Sequence, residues 1–169
     1  MHTLVLILPA LMVQQPAALP GAVEIQPGRF VVLGTPGPET FAGLKAAGIT
    51  HVLNLRTEGE ADVTADATAT KAAGAAYTRC PLDREPTPAA LDAFRAQVKA
   101  LPKGARVLIH CASGNRVAGA LYTVWVLDEG QSEEAALTLA RKAGLKSPVT
   151  EQAAKNYVAA RKGASSAKP

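Results

Sequence analysis

At 169 residues, with 48% hydrophobic and 19% charged side chains, the chain has the size and make-up of one globular domain with its own core. The net charge of +4 is mild and the basic residues are scattered, with only a slight C-terminal bias from Lys155, Arg161, Lys162 and Lys168; this fits a solvated helix face and argues against nucleic acid as a partner. Two cysteines, Cys80 and Cys111, exclude a disulfide-dense scaffold, and their spacing, with no His-rich cluster beside them, excludes a structural metal site.

The chain opens with an apolar run from Leu4 to Val13, broken by Pro9 and too short to span a bilayer. Gln14-Gln15-Pro16-Ala17-Ala18 follows, a small and polar stretch that suits the end of a signal peptide, although Lys and Arg are missing ahead of the run and no clean A-x-A site follows it. The expectation is a leader over residues 1–22, a mature start near Leu19 to Val23, and export to a periplasmic or extracellular, oxidising compartment with no stable membrane insertion. The alternatives are a buried N-terminal strand or an unstructured leader on a cytoplasmic protein.

From Arg29 onward, short apolar runs alternate with amphipathic stretches. Phe30 to Leu33 reads as a strand, and Glu39 to Ala47 as a short helix closed by Gly48. His51 to Leu55 is a buried strand, Glu60 to Ala73 a helix ended by Gly74, and Ala75 to Cys80 a third strand. After the turn-rich Pro81 to Pro88, Thr87 caps a helix with Pro88 in its first position and with Leu91, Phe94, Val98 and Leu101 at helical spacing. Pro102-Lys103-Gly104 stops it. Arg106 to His110 is the most apolar strand, and helices follow from about Arg116 to Leu127, from Ser132, and from about Pro148 to Arg161. The pattern predicts an α/β domain over residues 23–162, with a mainly parallel sheet of about four strands flanked by helices, and a disordered tail over 163–169.

Ligands of such sheets bind at the C-terminal ends of strands, and the loop His110-Cys111-Ala112-Ser113-Gly114-Asn115-Arg116 sits at one. Ser113, Gly114 and Asn115 are small or turn-tolerant. The backbone can therefore curl so that its N–H groups and the helix N-terminus form an anion nest from Ala112 to Arg116. A cysteine so placed favours the thiolate, the nucleophilic form, and Arg116 can hold two oxygens of a tetrahedral anion with its planar fork. His110 fits the role of a group that orients the loop through hydrogen bonds. The alternative is an inert core cysteine beside a solvent-facing arginine.

The loop resembles the HCxxGxxR signature of cysteine-dependent tyrosine and dual-specificity phosphatases. The resemblance runs over about Arg29 to Leu145: Leu44-Lys45-Ala46-Ala47-Gly48-Ile49-Thr50-His51-Val52-Leu53-Asn54-Leu55-Arg56 is similar to the helix-turn-strand ahead of their catalytic half, and the Thr87-Pro88 helix leads into the loop strand in the same order. Ala140-Arg141-Lys142-Ala143-Gly144-Leu145 is similar to a helix in the bacterial beta-lactamase-hydrolase-like phosphatase-like domain, which also has a shortened loop. Two departures stand out. Four residues rather than five separate Cys111 from Arg116, as in the short loop of rhodanese sulfurtransferases, and Val117 stands where phosphatases place a Ser or Thr whose hydroxyl helps the thiolate leave.

The resemblance implies a phosphomonoester hydrolase that needs no cofactor or metal and acts on a phosphorylated protein or a small phosphomonoester. Cys111 would attack phosphorus, Arg116 and the loop amides would hold the transferred group, and Asp83, on a loop ahead of the catalytic strand, would protonate the leaving oxygen. Glu85 is its stand-in, and Glu58 and Asp62 are weaker candidates at an expected helix start. Arg56 either recruits anions or pairs with Glu58 or Glu60. Cys80 is a candidate redox partner of Cys111, with a small buried residue as the plainer reading. The other functional readings are a rhodanese-like sulfurtransferase with a Cys111 persulfide and a non-catalytic phosphate-binding module.

Overall fold

The structure, a computed structural model, describes residues 16–60 and 63–166. Its elements in chain order are β1 (Val23–Ile25), β2 (Phe30–Leu33), α1 (Pro38–Gly43), β3 (His51–Asn54), α2 (Val63–Ala72), β4 (Ala76–Arg79), α3 (Pro88–Ala100), β5 (Val107–His110), α4 (Asn115–Leu127), α5 (Glu133–Lys142) and α6 (Pro148–Ser166). The sheet order is β1-β2-β5-β3-β4; all neighbours are parallel except β1, which pairs antiparallel with β2. The strand that carries the Cys111 loop is therefore central, hydrogen-bonded on both sides.

Alternation along the strands divides the core in two. Val107, Ile109 and Cys111 share one face with Phe30, Val32, Leu53 and Leu55, and pack against α3, α4, α5 and α6. Leu108 joins Val31, Leu33 and Val52 on the other face, beneath Leu44, Ala47 and Ile49 around α1. Helix α4 is buried along its whole course from Arg116 to Val126, which explains why its sequence is apolar on all sides. Helix α3 instead buries the stripe Leu91, Phe94 and Val98, with the Thr87 hydroxyl capping the Ala90 N–H at 3.2 Å.

The sheet has five strands rather than about four. The extra one, β1, is three residues long with Glu24 in its middle, too short to show an alternating pattern. Its hairpin turn places Gln26 at a φ of 54° and closes through Arg29 N–H to the Gln26 carbonyl at 2.9 Å. Helix α1 ends at Gly43 and the chain turns from there to Gly48, so the helix expected to Ala47 is shorter. Helix α2 begins at Val63 rather than Glu60, and α6 continues to Ser166, past the tail expected from Gly163. A single glycine costs only about 1 kcal/mol of helix propensity and does not by itself end the helix. The apolar run Leu4 to Val13 lies outside the described residues. Ahead of the boundary expected at residue 22, Ala17 N–H donates to the Ala46 carbonyl at 3.1 Å and Leu19 is buried.

Helices α4 and α6 meet at Gly119, where an added Cβ would stand 2.7 Å from Thr150 Cγ2. Thr150 cannot swing away freely, because it is β-branched and its hydroxyl donates to the Arg84 carbonyl at 3.0 Å. Helix propensity alone would make Gly119→Ala stabilising by about 0.5–1 kcal/mol; the contact reverses the sign, and we expect a net loss of about 1 kcal/mol or more in denaturant unfolding. In a Thr150→Ser background the same substitution becomes neutral or stabilising. Stabilisation by Gly119→Ala in the wild-type background would contradict this packing.

Candidate active site

Strand β5 ends at His110, and the chain from Cys111 to Gly114 curls once before α4 begins at Asn115. Gly114 makes the curl possible: its φ of 83° lies in the left-handed region, and its N–H turns back to donate to Cys111 Sγ at 3.1 Å. Neighbouring loops brace the curl from two sides. Thr35 Oγ1 donates to the Ala112 carbonyl at 3.2 Å, and Gly34 lies so close that a Cβ there would stand 3.2 Å from that same oxygen. On the other side, Asn115 Oδ1 accepts from Lys146 N–H at 2.6 Å and Ser147 N–H at 2.8 Å, while its Nδ2 donates to Ser113 Oγ at 3.2 Å.

Cys111 is fully buried, yet it is not sealed among apolar groups alone. Arg116, 8% exposed, lies beside it and does not turn out to water. Its Nη1 and Nη2 donate to Glu60 Oε2 and Oε1, both at 2.6 Å, and Nη1 also donates to the Leu82 carbonyl at 2.9 Å. Glu60 is itself fastened by the N–H and the hydroxyl of Thr57, each 2.7 Å from Oε2. Its carboxyl is held down to about 2, first by Arg116 and further by Thr57, against the opposing effect of burial. Glu60 in turn keeps Arg116 more firmly protonated, with a smaller contribution from the Cys111 sulfur. The pairing joins residues 56 apart in sequence and was not expected from it. Thr57-Glu58-Gly59-Glu60 has the form of a capping box, which points to a helix start; here the carboxylate answers the Thr57 N–H and also reaches across to Arg116.

The remaining candidates separate. Asp83 and Glu85 are exposed and line an outer cleft with Thr57, while Ser113, Asn115, Ser147 and Thr150 line an inner one of about 330 Å³; Glu60, Arg84 and Arg116 line both. Asp83 is thus brought to the approach to Arg116, and so is its stand-in. Glu58 is drawn off toward Arg79 at 3.7 Å, and Asp62 lies outside the described residues. Arg56 pairs with neither Glu58 nor Glu60: it is buried and donates to Asp66 of α2, while Asn54 Oδ1 accepts from its main-chain N–H at 2.9 Å.

His110 does not orient the loop through hydrogen bonds. Alternation turns its ring to the sheet face opposite Cys111, the face that Leu33 and Asn54 share with it across the register. The ring is fully buried and neither nitrogen has a hydrogen-bond partner among the described residues. Burial, with the Arg56 cation adding to it, pushes the imidazole down to about 3, offset slightly by the adjacent Cys111 main chain.

Cys80 is a free, buried thiol pushed up to about 11 by burial. Strand β3 lies between β4 and β5, so Leu55 stands between Cys80 and Cys111. Two strand spacings, roughly 9.6 Å, separate the two cysteines, whereas a disulfide tolerates a Cα separation of only about 7 Å. The plainer reading of Cys80, a small core residue, is the one this register supports. No group of His, Cys, Asp and Glu among the described residues has the arrangement of a metal site.

A family model described as "PTP-SAK: Swiss Army Knife protein, DSP-PTPase phosphatase domain" matches residues 21–167. No curated protein matches the chain. Among solved structures, the chain is similar to a DUF442 protein from Shewanella putrefaciens CN-32 at 24% identity, with 83% of this chain and 90% of that one covered and a TM-score of 0.67. It is similar at 20% identity to Tk-PTP in its active form, covering 83% and 97% with a TM-score of 0.69. It is also similar at 18% identity to P. aeruginosa TpbA in complex with pTyr, covering 82% and 89% with a TM-score of 0.62. At these identities the structural likeness speaks for the fold, and the family match for the kind of domain.

The neutral, buried His110 has a consequence for stability. The unfolded chain takes up the proton near 6.5, whereas the folded protein does not until about 3, so folding becomes less favourable as pH falls through this window and is unaffected by this group above it. Between pH 6.5 and 5, above most carboxyl titrations, we expect wild-type unfolding free energy to fall with a steeper slope than that of His110→Asn, by up to about one proton. Equal slopes in paired urea titrations would show that the imidazole is not held neutral.

Proposed function

The chain belongs to the Swiss Army Knife family of DSP-PTPase phosphatase domains, and on that premise we propose that it hydrolyses phosphomonoesters through a covalent phosphocysteine on Cys111. The observation that carries the reading is the Cys111 sulfur set between the Gly114 N–H and a buried arginine whose position is fixed from behind. Arg116 has five N–H donors. Two are taken by Glu60 and one by the Leu82 carbonyl; the remaining two, on the side of the Cys111 sulfur, are the ones we assign to a substrate while Glu60 stays in place. Glu60 is therefore a positioning residue: it sets the guanidinium for the phosphoryl oxygens and does not need to be displaced.

In the first step the Cys111 thiolate attacks phosphorus, the bond from phosphorus to the ester oxygen breaks, and Asp83 gives its proton to the departing oxygen. In the second, a water attacks the phosphocysteine, the sulfur–phosphorus bond breaks, and the Asp83 carboxylate takes the proton. The Arg116 donors and loop amides stabilise the charge on the equatorial oxygens in both steps. The family and the fold do not favour a sulfurtransferase. The pTyr bound by TpbA supports a phosphomonoester as the substrate class. Export is part of the proposal as well, and rests on the Leu4–Val13 run and the small, polar stretch from Gln14 to Ala18 that follows it.

Hydrolysis of an aryl phosphate tests the mechanism. Cys111→Ser should abolish it. Asp83→Asn should reduce kcat by about 10²–10⁴-fold and remove the alkaline limb of the pH–rate profile that an acid catalyst imposes. Full activity in Cys111→Ser would end the reading; a larger effect from Glu85→Gln than from Asp83→Asn would move the acid to Glu85. Glu60→Gln should lower kcat/KM about tenfold or more by loosening Arg116, and unchanged kinetics would remove Glu60 from the positioning role.

A further inference from the structure

Resting on the phosphatase reading of the Cys111 loop, we propose that the site is built for small, polar, aliphatic phosphomonoesters that carry a second anionic group, and that Arg84 receives that second anion. The first support is an accounting of rings. A site made for a phenolic ester needs a flat apolar wall against which the ring can lie. The chain has three Phe, three Tyr and one Trp, all of them among the described residues. Phe30, Phe94, Tyr122, Trp125 and Tyr157 belong to the core beneath the sheet, and Phe41 and Tyr77 pack against the core on the opposite face. None lines the inner or the outer cleft.

The inner cleft is lined instead by small and charged residues: Ala112, Ser113, Asn115, Ser147 and Thr150 around Arg116, with Glu60 and Arg84. A space of about 330 Å³ is at the small end of ligand sites, and no ring stands in its wall to form a stacking surface.

The second support is Arg84. It is exposed, lines both clefts, and among the described residues its guanidinium makes no hydrogen bond or ion pair. Its main chain, by contrast, is fixed. The Arg84 carbonyl accepts from Thr150 Oγ1 at 3.0 Å, and two residues earlier the Leu82 carbonyl accepts from Arg116 at 2.9 Å. A free cation on an anchored loop beside the phosphate-binding arginine is placed to read a second charge on the same molecule. The carboxylates nearby do not cancel it in the inner cleft: Glu60 is engaged by Arg116, and Asp83 and Glu85 line only the outer cleft.

Direct binding to the Cys111→Ser protein separates recognition from leaving-group chemistry. The probes are glycerol 3-phosphate (aliphatic, one anionic group), 3-phosphoglycerate (aliphatic, two) and phenyl phosphate (aromatic, one), measured by titration calorimetry. We expect 3-phosphoglycerate to bind about tenfold tighter than glycerol 3-phosphate, as one added charge-assisted contact provides, and phenyl phosphate to bind no tighter than glycerol 3-phosphate. Arg84→Gln in the same background should bring the first ratio to near one, and Arg84→Lys should keep part of it. A tenfold preference for phenyl phosphate, a ratio that survives Arg84→Gln, or no binding of any probe overturns the inference. Hydrolysis of any of the three probes by the wild-type protein, lost in Cys111→Ser, shows in any of those cases that the phosphatase reading stands and only this inference has failed; absence of hydrolysis of all three removes both.

Discussion

A guanidinium almost wholly withdrawn from water must be answered by a carboxylate, and Glu60 answers Arg116 with both oxygens. Taking either charge out of water alone would cost several kcal/mol, and only close, two-pronged geometry with the remaining hydrogen-bonding capacity filled makes the pair tolerable. The structure meets those conditions with Thr57 behind Glu60 and the Leu82 carbonyl beside Arg116. The participants come from three places. Thr57 and Glu60 follow β3, Leu82 follows β4, and Arg116 follows β5. One ion pair therefore makes three loops at the C-terminal edge of a parallel sheet agree on a single arrangement, and the cleft exists because they do.

The sheet's alternation then assigns the other polar groups. Consecutive residues of β5 point to opposite faces, so the strand that delivers Cys111 to the loop necessarily delivers His110 to the far side. There the ring shares a face with Asn54, whose amide donates to Asp66 at 3.2 Å and to the Tyr77 hydroxyl at 2.9 Å, and whose oxygen receives Arg56. Arg56 is thus committed to a buried network under the loop rather than to the cleft. Its pKa is lowered by burial in the first place, with the neighbouring Tyr77 and Glu60 opposing that effect. The same alternation aligns Cys80 with Leu55 and Cys111 on the α3–α4 face, where an intervening strand keeps the two sulfurs apart.

Local features were open to a reading of the sequence alone, and features joined across the chain were not. Helix α3 announces itself through Thr87, Pro88 and the stripe of Leu91, Phe94 and Val98, and α5 through Ser132, whose hydroxyl accepts from Ala135 N–H at 3.2 Å. The strand, the glycine-bearing curl and the arginine at the head of α4 are contiguous, so their chemistry could be read from spacing. Glu60 could not: its neighbours spell a helix cap, and its partner lies beyond two further strands. Asn115 is similar, since nothing near it in sequence tells that its oxygen will tie down the main chain of Lys146 and Ser147. Strand β1 is invisible for another reason. Three residues do not make a period, and its existence depends on β2 offering an edge.

The four-residue spacing and Val117 take on a different sense in this geometry. In the resembling phosphatases a hydroxyl after the arginine eases departure of the thiolate; Val117 is instead fully buried and serves the core. With one residue fewer in the loop, the left-handed glycine falls immediately before α4, where its N–H points back at the sulfur. On the proposed mechanism this main-chain hydrogen bond would stabilise the sulfur both in attack and in departure, the task that a side-chain hydroxyl has in the resembling phosphatases. The stabilisation then depends on a backbone angle that only glycine adopts without strain, and not on any side chain of the loop. Ala112 and Ser113 line the inner cleft, where on the proposed reading the rest of the substrate would lie.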